Sequence, residues 1–385
     1  MTTTMMGSAA AAASATAGAL GRCATRSARR SRSAHISSIG VRQFPAITTS
    51  RFYSSTYRND DYDDDVRSSK RPSKTALILG SSGCLGSTLV STLSRTFGKG
   101  RINIIGSDCV QPPNSQMEAD QLDAFLPLPH PSTDPSLGKM TTELLLGLKE
   151  LDELSSNNNS GGNEDTDGGL RLDAIICASG GWEGDPPTVN AEALKSELDP
   201  TDSMEEKMLI ADARAHGDAA ERMMKMNLYP VLAAGRAMDR YMASQGLFVA
   251  FSAAAALAPT PSMYGYGAAK AAVHHYIQTL GASSGPKTGV GHKAQRQKAS
   301  VALRRDREYL DDLTALAILP SMLDTRTNRR FAEPDADFET WTKPEVIAKE
   351  VATWLGKPYL RPNSGALIKV QSGKKGGDAV FNLVR

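Results

Sequence analysis

The feature that most constrains the fold is a glycine-rich turn between a short apolar run and a segment with helical periodicity. Residues 75–79, TALIL, are uniformly apolar and predict a buried strand. The sequence GSSGCLG follows from Gly80 to Gly86, and residues 81–97 have the period of a helix. A turn this tight needs glycine where φ is positive or where two backbone segments approach closely. Strand, turn and helix together predict the first unit of an α/β domain.

Strand-like and helix-like segments alternate along most of the remaining chain. The strands are predicted at 101–108, 122–129, 172–181, 247–252, 314–320 and 365–370, and the helices at 138–154, 205–243, 266–280 and 344–355. This alternation predicts a Rossmann-like, doubly wound parallel sheet with helices on both faces. We expect a single domain with surface insertions, with its ligands at the carboxyl ends of the strands.

Residues 1–70 have a different composition, and the folded domain is predicted to span 71–385. Residues 1–58 contain eight Arg and no Lys, Asp or Glu, and are rich in Ala, Ser and Thr, which is typical of an organellar transit peptide. The sequence RFYS at 51–54 resembles a mitochondrial processing site. We therefore expect a mitochondrial protein, with a plastid signal or a basic tail on a cytoplasmic protein as alternatives. The acidic stretch that follows predicts a disordered linker.

Three segments of the domain are predicted to be inserted loops. Residues 155–169 are of low complexity, with Asn, Gly and acidic residues that favour a surface loop. Residues 284–312 are charged and show no apolar period. The third, about 185–220, has no counterpart in the family resemblance described below.

Charge and cysteine content exclude several classes of function. Removing the eight Arg of the first 58 residues leaves 36 basic against 42 acidic residues, a formal charge of −6. A domain with a negative net charge is a poor binder of nucleic acid. No apolar run is long enough to predict a membrane span. The four cysteines have no C-x-x-C spacing, so neither a zinc site nor a disulfide framework is predicted, and no other metal site is expected.

The glycine turn and a later acidic residue predict a dinucleotide site. The helix N-terminus after the turn supplies N–H donors for a pyrophosphate. Asp108 closes the next strand, 22 residues after Gly86, where an acid can accept hydrogen bonds from the adenosine ribose. Its charge would repel a 2′-phosphate, which favours NADH, with NADPH as the alternative. The turn residues predicted to hold the cofactor are Gly80, Ser82, Gly83, Leu85 and Gly86. The alternatives are an ordinary glycine turn and a solvated acid that caps a strand.

The sequence SMYGYGAAKAAVHH sets two tyrosines ahead of one lysine. Only Tyr266 stands four residues before Lys270, which places both side chains on one helix face, about 6 Å apart along the axis. Tyr264 stands six before it and is interpreted as a loop residue ahead of the helix. An ammonium one turn away would lower the pKa of the Tyr266 phenol and let it exchange a proton near neutral pH. The alternative is an exposed pair without a catalytic role.

Taken together, these motifs resemble the short-chain dehydrogenase/reductase family, and within it the dihydropteridine reductases. The stretches that carry the resemblance are DAIICASGGWEGD, LFVAFSAAAALAPTPSMYGYGAAKAAVHHYIQTL and ALAILPSMLDTRTNRRFAEPDADFETWTKPE. The last is the most specific, because LDT-x-x-NR followed by ADF-x-x-WT is not general to the family. The resemblance covers about 75–380 outside the three insertions.

The resemblance implies an activity, the NADH-dependent reduction of a quinonoid dihydropterin to a tetrahydropterin, with Tyr266 and Lys270 relaying the proton. It implies that Asn227 supports the relay and that Trp182 packs beside the pterin. A helix residue facing solvent and a core tryptophan are the respective alternatives. Further cofactor contacts are implied for Gly180, Lys270, Pro320 and Thr325. Members of the family usually dimerise through two helices, here about 222–243 and 266–281, so a homodimer is expected.

One position departs from the family pattern. Most members have a serine 13 residues before the catalytic tyrosine, and here that residue is Ala253, with Ser252 one position away. Reduction of an unactivated ketone benefits from this hydroxyl, whereas a quinonoid pterin is already a reactive acceptor. The rival functions are a reductase of another quinonoid or carbonyl substrate, and a non-catalytic NAD(P)H sensor.

Overall fold

The structure, a computed structural model, describes residues 74–112, 121–133, 135–158, 169–186, 203–284, 312–373 and 379–384. The predicted transit peptide and linker lie outside these residues. The mitochondrial location therefore stays a prediction.

The described strands form one sheet with the order β3-β2-β1-β4-β5-β6-β7-β8. All neighbours pair in parallel except β7 and β8, which are antiparallel. The order reverses between β1 and β4, which creates a crevice at their carboxyl ends. The strands are β1 Lys74–Leu79, β2 Ile102–Asp108, β3 Ala124–Pro127, β4 Leu172–Cys177, β5 Met242–Phe251, β6 Thr314–Pro320, β7 Ala366–Ser372 and β8 Ala379–Val384.

The helices cover the two faces of this sheet. They are α1 Cys84–Phe97, α2 Leu137–Asn158, α3 Met204–Asn227, α4 Tyr229–Tyr241, α5 Tyr264–Ser283, α6 Arg326–Arg330 and α7 Pro344–Gly356. Short 3₁₀ turns occur at Pro131–Thr133, Ala254–Leu257, Phe338–Thr340 and Pro358–Leu360. Within the described ranges, no helix combines the length and the apolar character that a membrane crossing requires.

Two apolar cores lie on opposite faces of the sheet. The side chains of α2, α4 and α5 pack on one face, with Leu144, Val231 and Val273 fully or almost fully buried. The side chains of α1 and α7 pack on the other face, with Leu89 and Val351 fully buried. The central strands are apolar on both sides because both faces are covered. The predicted Rossmann-like architecture is confirmed.

The structure corrects several of the predicted secondary-structure elements. The strand predicted at 365–370 is β7, but it is not the last strand, because β8 follows it and pairs with it in antiparallel orientation. The predicted helix 205–243 is two helices that meet at Leu228, where Pro230 lies in the first turn of α4 and lacks an N–H for a continuous helix. Tyr264 is not a loop residue, since it begins α5.

The predicted insertion at about 185–220 overlaps the predicted helix 205–243, and in the structure most of its described part is helical. Residues 204–220 belong to α3, which begins with a capping box in which Ser203 and Glu206 exchange hydrogen bonds. The first insertion also starts later than predicted, because α2 continues to Asn158. Residues 159–168, 187–202 and 285–311 lie outside the described residues, so the rest of the insertion prediction stays untested.

Close backbone contact joins α3 to α5, the helix that carries Tyr266 and Lys270. A Cβ on Gly265 would lie 2.6 Å from the Cα of Ala220 and so could not be accommodated without moving one helix. By contrast, a Cβ on Gly217, also in α3, would meet nothing within 4 Å.

We predict opposite effects of alanine at these two helical glycines. Gly265→Ala should lower the free energy of unfolding by about 1–3 kcal/mol through steric overlap. Gly217→Ala should raise it by about 1 kcal/mol, because alanine has the better helix propensity. Chemical denaturation of the two variants beside the wild type measures both effects. Equal stability of Gly265→Ala and the wild type would contradict the packing described here.

Candidate active site

The sequence-predicted site residues lie at the carboxyl edge of the sheet, around the crevice between β1 and β4. The glycine turn follows β1, Asp108 ends β2, and Gly180 and Trp182 follow β4. Pro320 ends β6, and Thr325 lies shortly after it. Asn227 comes from the end of α3, and Tyr266 and Lys270 from the first two turns of α5.

The glycine turn forms a cradle that side chains would fill. Gly80 has a φ of +80°, and a Cβ there would lie 2.4 Å from the backbone nitrogen of Ser179. A Cβ on Gly86 would lie 1.9 Å from the carbonyl oxygen of Gly80, so α1 packs directly against the turn. Gly83 is the N-cap of α1 and places no side chain over the helix N-terminus. An open helix N-terminus above a tight backbone turn fits a dinucleotide pyrophosphate.

The other two turn residues differ in what they can offer a cofactor. Leu85 is buried in the core between α1 and the sheet, so only its backbone can face a ligand. Ser82 is half-buried, and its hydroxyl donates to the carbonyl oxygen of Val110 at 2.7 Å.

Asp108 is bound to the glycine turn. The amide of Ser82 donates to its Oδ2 at 2.9 Å, and the amides of Cys109 and Val110 donate to its Oδ1 at 2.7 and 3.3 Å. These contacts hold the carboxylate at the mouth of the cradle. The position is compatible with an acceptor for ribose hydroxyls, and this role of Asp108 stays a prediction.

Lys270 is buried at the centre of the site. Its side chain is 5% exposed, and Nζ donates to the carbonyl oxygen of Phe251 at the end of β5 at 3.0 Å. The hydroxyl of Ser252 in turn donates to the carbonyl oxygen of Lys270 at 3.0 Å. Two hydrogen bonds, one donated from each side, thus join the end of β5 to the first turns of α5. Ser252 has a structural role here and does not replace the hydroxyl missing at Ala253.

Tyr266 lies beside Lys270, and its predicted pKa shift is wrong in direction. The Nζ of Lys270 is 5.9 Å from the centroid of the Tyr266 ring. Burial raises the pKa of the Tyr266 phenol to about 12, and burial lowers the pKa of Lys270 to about 8. Removal of both groups from water therefore outweighs the attraction between ammonium and phenolate. The pair holds a neutral phenol across the neutral pH range.

Asn227 is fully buried, so a solvent-facing helix residue is ruled out. Its Nδ2 donates to the carbonyl oxygens of Gly181 and Met223, both at 3.1 Å, and its Oδ1 accepts from the amide of Gly181 at 3.3 Å. A Cβ on Gly180 would lie 2.7 Å from Asn227 Oδ1 and 3.1 Å from Lys270 Nζ. The structure therefore brings Asn227 and Lys270 together around Gly180, and only glycine fits between them.

Trp182 is 56% exposed, which excludes a core tryptophan. Its Nε1 donates to the sulfur of Met263 at 2.8 Å, just ahead of α5. Trp182 therefore presents an aromatic surface next to the helix that carries Tyr266.

The segment after β6 lies near the start of α1. Thr325 caps α6 by accepting from the amide of Asn328 at 3.1 Å. Burial, together with the charges of Glu345 and Asp324, raises the pKa of the Cys84 thiol at the start of α1. The charge effect of Asp324 places this segment within electrostatic reach of the cradle.

Sequence reasoning missed two features of the site. Asp185 accepts from the amide of Tyr264 at the start of α5, a contact between residues 79 positions apart that no local pattern indicates. His274 is buried one turn after Lys270, and its Nε2 has no hydrogen-bond partner among the described residues. Burial and the charge of Lys270 lower the pKa of His274, which keeps the ring neutral. Its spacing from Lys270 was visible in the sequence, but its burial was not.

The described residues contain no group of three or more His, Cys, Asp or Glu that could hold a metal ion.

Comparison with known proteins points to one family. A sequence model of the short chain dehydrogenase family matches residues 208–290, which include Asn227, Tyr266 and Lys270. A dihydropteridine reductase from Dictyostelium discoideum is 28% identical over 303 residues, covering 79% of this chain and 96% of that protein.

Solved structures of similar proteins include two sugar oxidoreductases. An aldohexose dehydrogenase from Thermoplasma acidophilum is 13% identical, with a TM-score of 0.47, and covers 77% of this chain and 92% of its own. A protein from Haemophilus influenza assigned as a D-mannonate oxidoreductase, and solved with bound NAD, is 17% identical, with a TM-score of 0.48 and coverage of 77% and 93%.

The family match covers the helix on which the buried lysine and its tyrosine lie, and the full-length relative extends the similarity to the glycine cradle. These matches make the chain similar to short chain dehydrogenases over residues 208–290 and to a dihydropteridine reductase over most of its length.

Proposed function

We propose that the protein is an NADH-dependent dihydropteridine reductase that converts quinonoid 6,7-dihydropteridines to 5,6,7,8-tetrahydropteridines. The similarity to the Dictyostelium discoideum enzyme over most of both chains supports this assignment. Bound NADH would supply the hydride. The reaction then needs one proton, and the protein has to provide it at the substrate ring.

The observation that carries the proposal is the protonation state of Tyr266 in a site that lacks the usual serine. Burial raises the pKa of the Tyr266 phenol to about 12, so the phenol is protonated at neutral pH and can donate a proton. Ala253 is buried and has no hydroxyl to polarise a carbonyl. The missing hydroxyl favours a substrate that is already electrophilic, and a quinonoid pterin is such a substrate.

In the proposed mechanism, Tyr266 Oη donates its proton to the reduced pterin and becomes a phenolate. Lys270, held by the carbonyl oxygen of Phe251, places its ammonium where it stabilises that phenolate. Tyr266 then regains its proton from solvent before the next turnover. Asn227 holds the Gly181 segment in place and thereby keeps the wall of the site beside Lys270. Trp182 offers a flat apolar surface for the pterin ring.

Asp108 supports NADH as the preferred cofactor. Its carboxylate, bonded to the amide of Ser82, would accept from the ribose hydroxyls of NADH and repel the 2′-phosphate of NADPH.

The first test compares the two tyrosines. Tyr266→Phe should reduce kcat for NADH oxidation with quinonoid dihydropterin about 100-fold or more, because the donor hydroxyl is lost. Tyr264→Phe should leave kcat within about twofold, since Tyr264 is 68% exposed and contributes its backbone amide to the structure. Turnover that survives in Tyr266→Phe would remove this residue as the donor.

The second test concerns the choice of cofactor. Asp108→Asn keeps an oxygen that can accept from the amide of Ser82 but removes the charge. We expect the ratio of the NADPH to the NADH dissociation constant to fall about tenfold, or about 1.4 kcal/mol. Nucleotide fluorescence measures both constants without any turnover. An unchanged ratio would show that Asp108 does not discriminate between the cofactors.

The third test uses the buried charge of Lys270. The fall of its pKa from 10.5 to about 8 means that the folded protein binds fewer protons than the unfolded chain between these values, so stability rises with pH across this window. Lys270→Met should therefore be stabilised relative to the wild type most strongly below pH 8. The advantage should shrink by about 3 kcal/mol as the pH approaches 10.5. Denaturation of the cofactor-free proteins at several pH values measures the difference, and a difference that does not vary with pH would contradict the burial of a charged lysine.

A further inference from the structure

The catalytic helix α5 lacks an N-terminal cap from its own sequence. Its N-cap residue is Met263, whose side chain makes no capping hydrogen bond. Tyr266 is the third residue of this helix, so it lies in the first turn, where an uncapped helix frays most readily. The position of the proton donor therefore depends on what holds this end.

Asp185, from the loop after β4, supplies the missing cap. The amide of Tyr264 lies 3.1 Å from both carboxylate oxygens of Asp185. The amide of Asp185 donates in turn to the carbonyl oxygen of Ser262 at 2.9 Å. Ser262 has a φ of +60°, a conformation that costs a non-glycine residue free energy and needs support from its surroundings. Both the backbone and the side chain of Asp185 thus bind the turn that leads into α5.

The same loop carries Trp182 and is held on its other side by α3. The Nε1 of Trp182 donates to the sulfur of Met263, within the turn that Asp185 binds. Glu183 forms an ion pair with Arg222 of α3 in which both carboxylate oxygens take part, at 2.7 and 3.2 Å. The loop is therefore fixed between the two helices that carry Asn227 and Tyr266.

We propose that Asp185 is a positioning residue that sets Tyr266 against Trp182. It fixes the first turn of α5 to the loop on which Trp182 stands, so the proton donor and the aromatic surface are held as one unit. This inference rests on the proposed function for the roles of Tyr266 and Trp182. Proton transfer and stacking both depend on alignment at the scale of an ångström. A less ordered first turn of α5 should therefore lower kcat/KM.

The experiment compares three variants of the full chain. Asp185→Ala removes the cap. Asp185→Asn keeps one oxygen that can accept from the amide of Tyr264. Ser203→Ala removes a side-chain cap from the start of α3, which lies about 35 Å along the helix from Asn227. This variant controls for a general loss of stability on removal of a helix cap.

Hydrogen exchange tests the contact without any substrate. In Asp185→Ala, the amides of residues 262–268 should exchange at least about tenfold faster than in the wild type. Asp185→Asn should restore most of the protection, and Ser203→Ala should leave this segment unchanged. Equal exchange in Asp185→Ala and the wild type would overturn the proposal, whatever the enzyme reduces.

Steady-state kinetics with quinonoid dihydropterin test the positioning. We expect Asp185→Ala to raise KM for the pterin and lower kcat, with kcat/KM falling about 10- to 100-fold. The NADH dissociation constant should stay within about twofold, and Asp185→Asn should recover most of the activity. Wild-type kinetics in Asp185→Ala, or an equal loss in Ser203→Ala, would overturn the proposal. A wild type without pterin turnover would refute the proposed function and leave the exchange experiment as the test of the contact.

Discussion

The burial of the Lys270 ammonium against the carbonyl oxygen of Phe251 is the interaction on which the rest of the site depends. It joins the end of β5 to the start of α5, and the return bond from Ser252 to the Lys270 carbonyl fixes the register between them. A charge taken out of water in this way costs free energy, and proteins keep such groups chiefly at functional sites. The fold bears this cost next to the crevice where the strand order reverses, which is where an α/β sheet binds its ligand.

The electrostatics of the pair favour one direction of chemistry. Burial disfavours the charged forms of both groups, so the Tyr266 phenol stays protonated and the Lys270 ammonium becomes easier to deprotonate. A protonated phenol is ready to donate, and the adjacent cation stabilises the phenolate that remains. Because Ala253 offers no hydroxyl to an incoming carbonyl, the site is better matched to an electrophilic acceptor than to an ordinary ketone.

The sequence predicted the sheet, most helices and the placement of the glycine cradle, because apolar runs, helical periods and glycine turns are local signals. Asp108 and the Tyr266–Lys270 spacing were found for the same reason. The direction of the Tyr266 pKa shift was predicted wrongly, since it depends on burial, which the spacing of residues does not reveal. The Asp185 cap joins residues 79 positions apart, which no local pattern reveals. Residues 205–220 were predicted as helical from their pattern and as part of an inserted loop from the family resemblance, and the local pattern was right.

The most direct test of the account is the substrate preference of the wild-type enzyme. NADH oxidation should be measured with quinonoid dihydropterin generated in situ, beside a panel of unactivated ketones, and in the reverse direction with secondary alcohols and NAD. The account predicts rapid turnover of the pterin, at least about 1,000-fold above the ketones in kcat/KM, and no measurable alcohol oxidation near neutral pH. Comparable rates with ketones and alcohols would contradict it, because the account assigns the site no hydroxyl at position 253 to polarise an unactivated carbonyl.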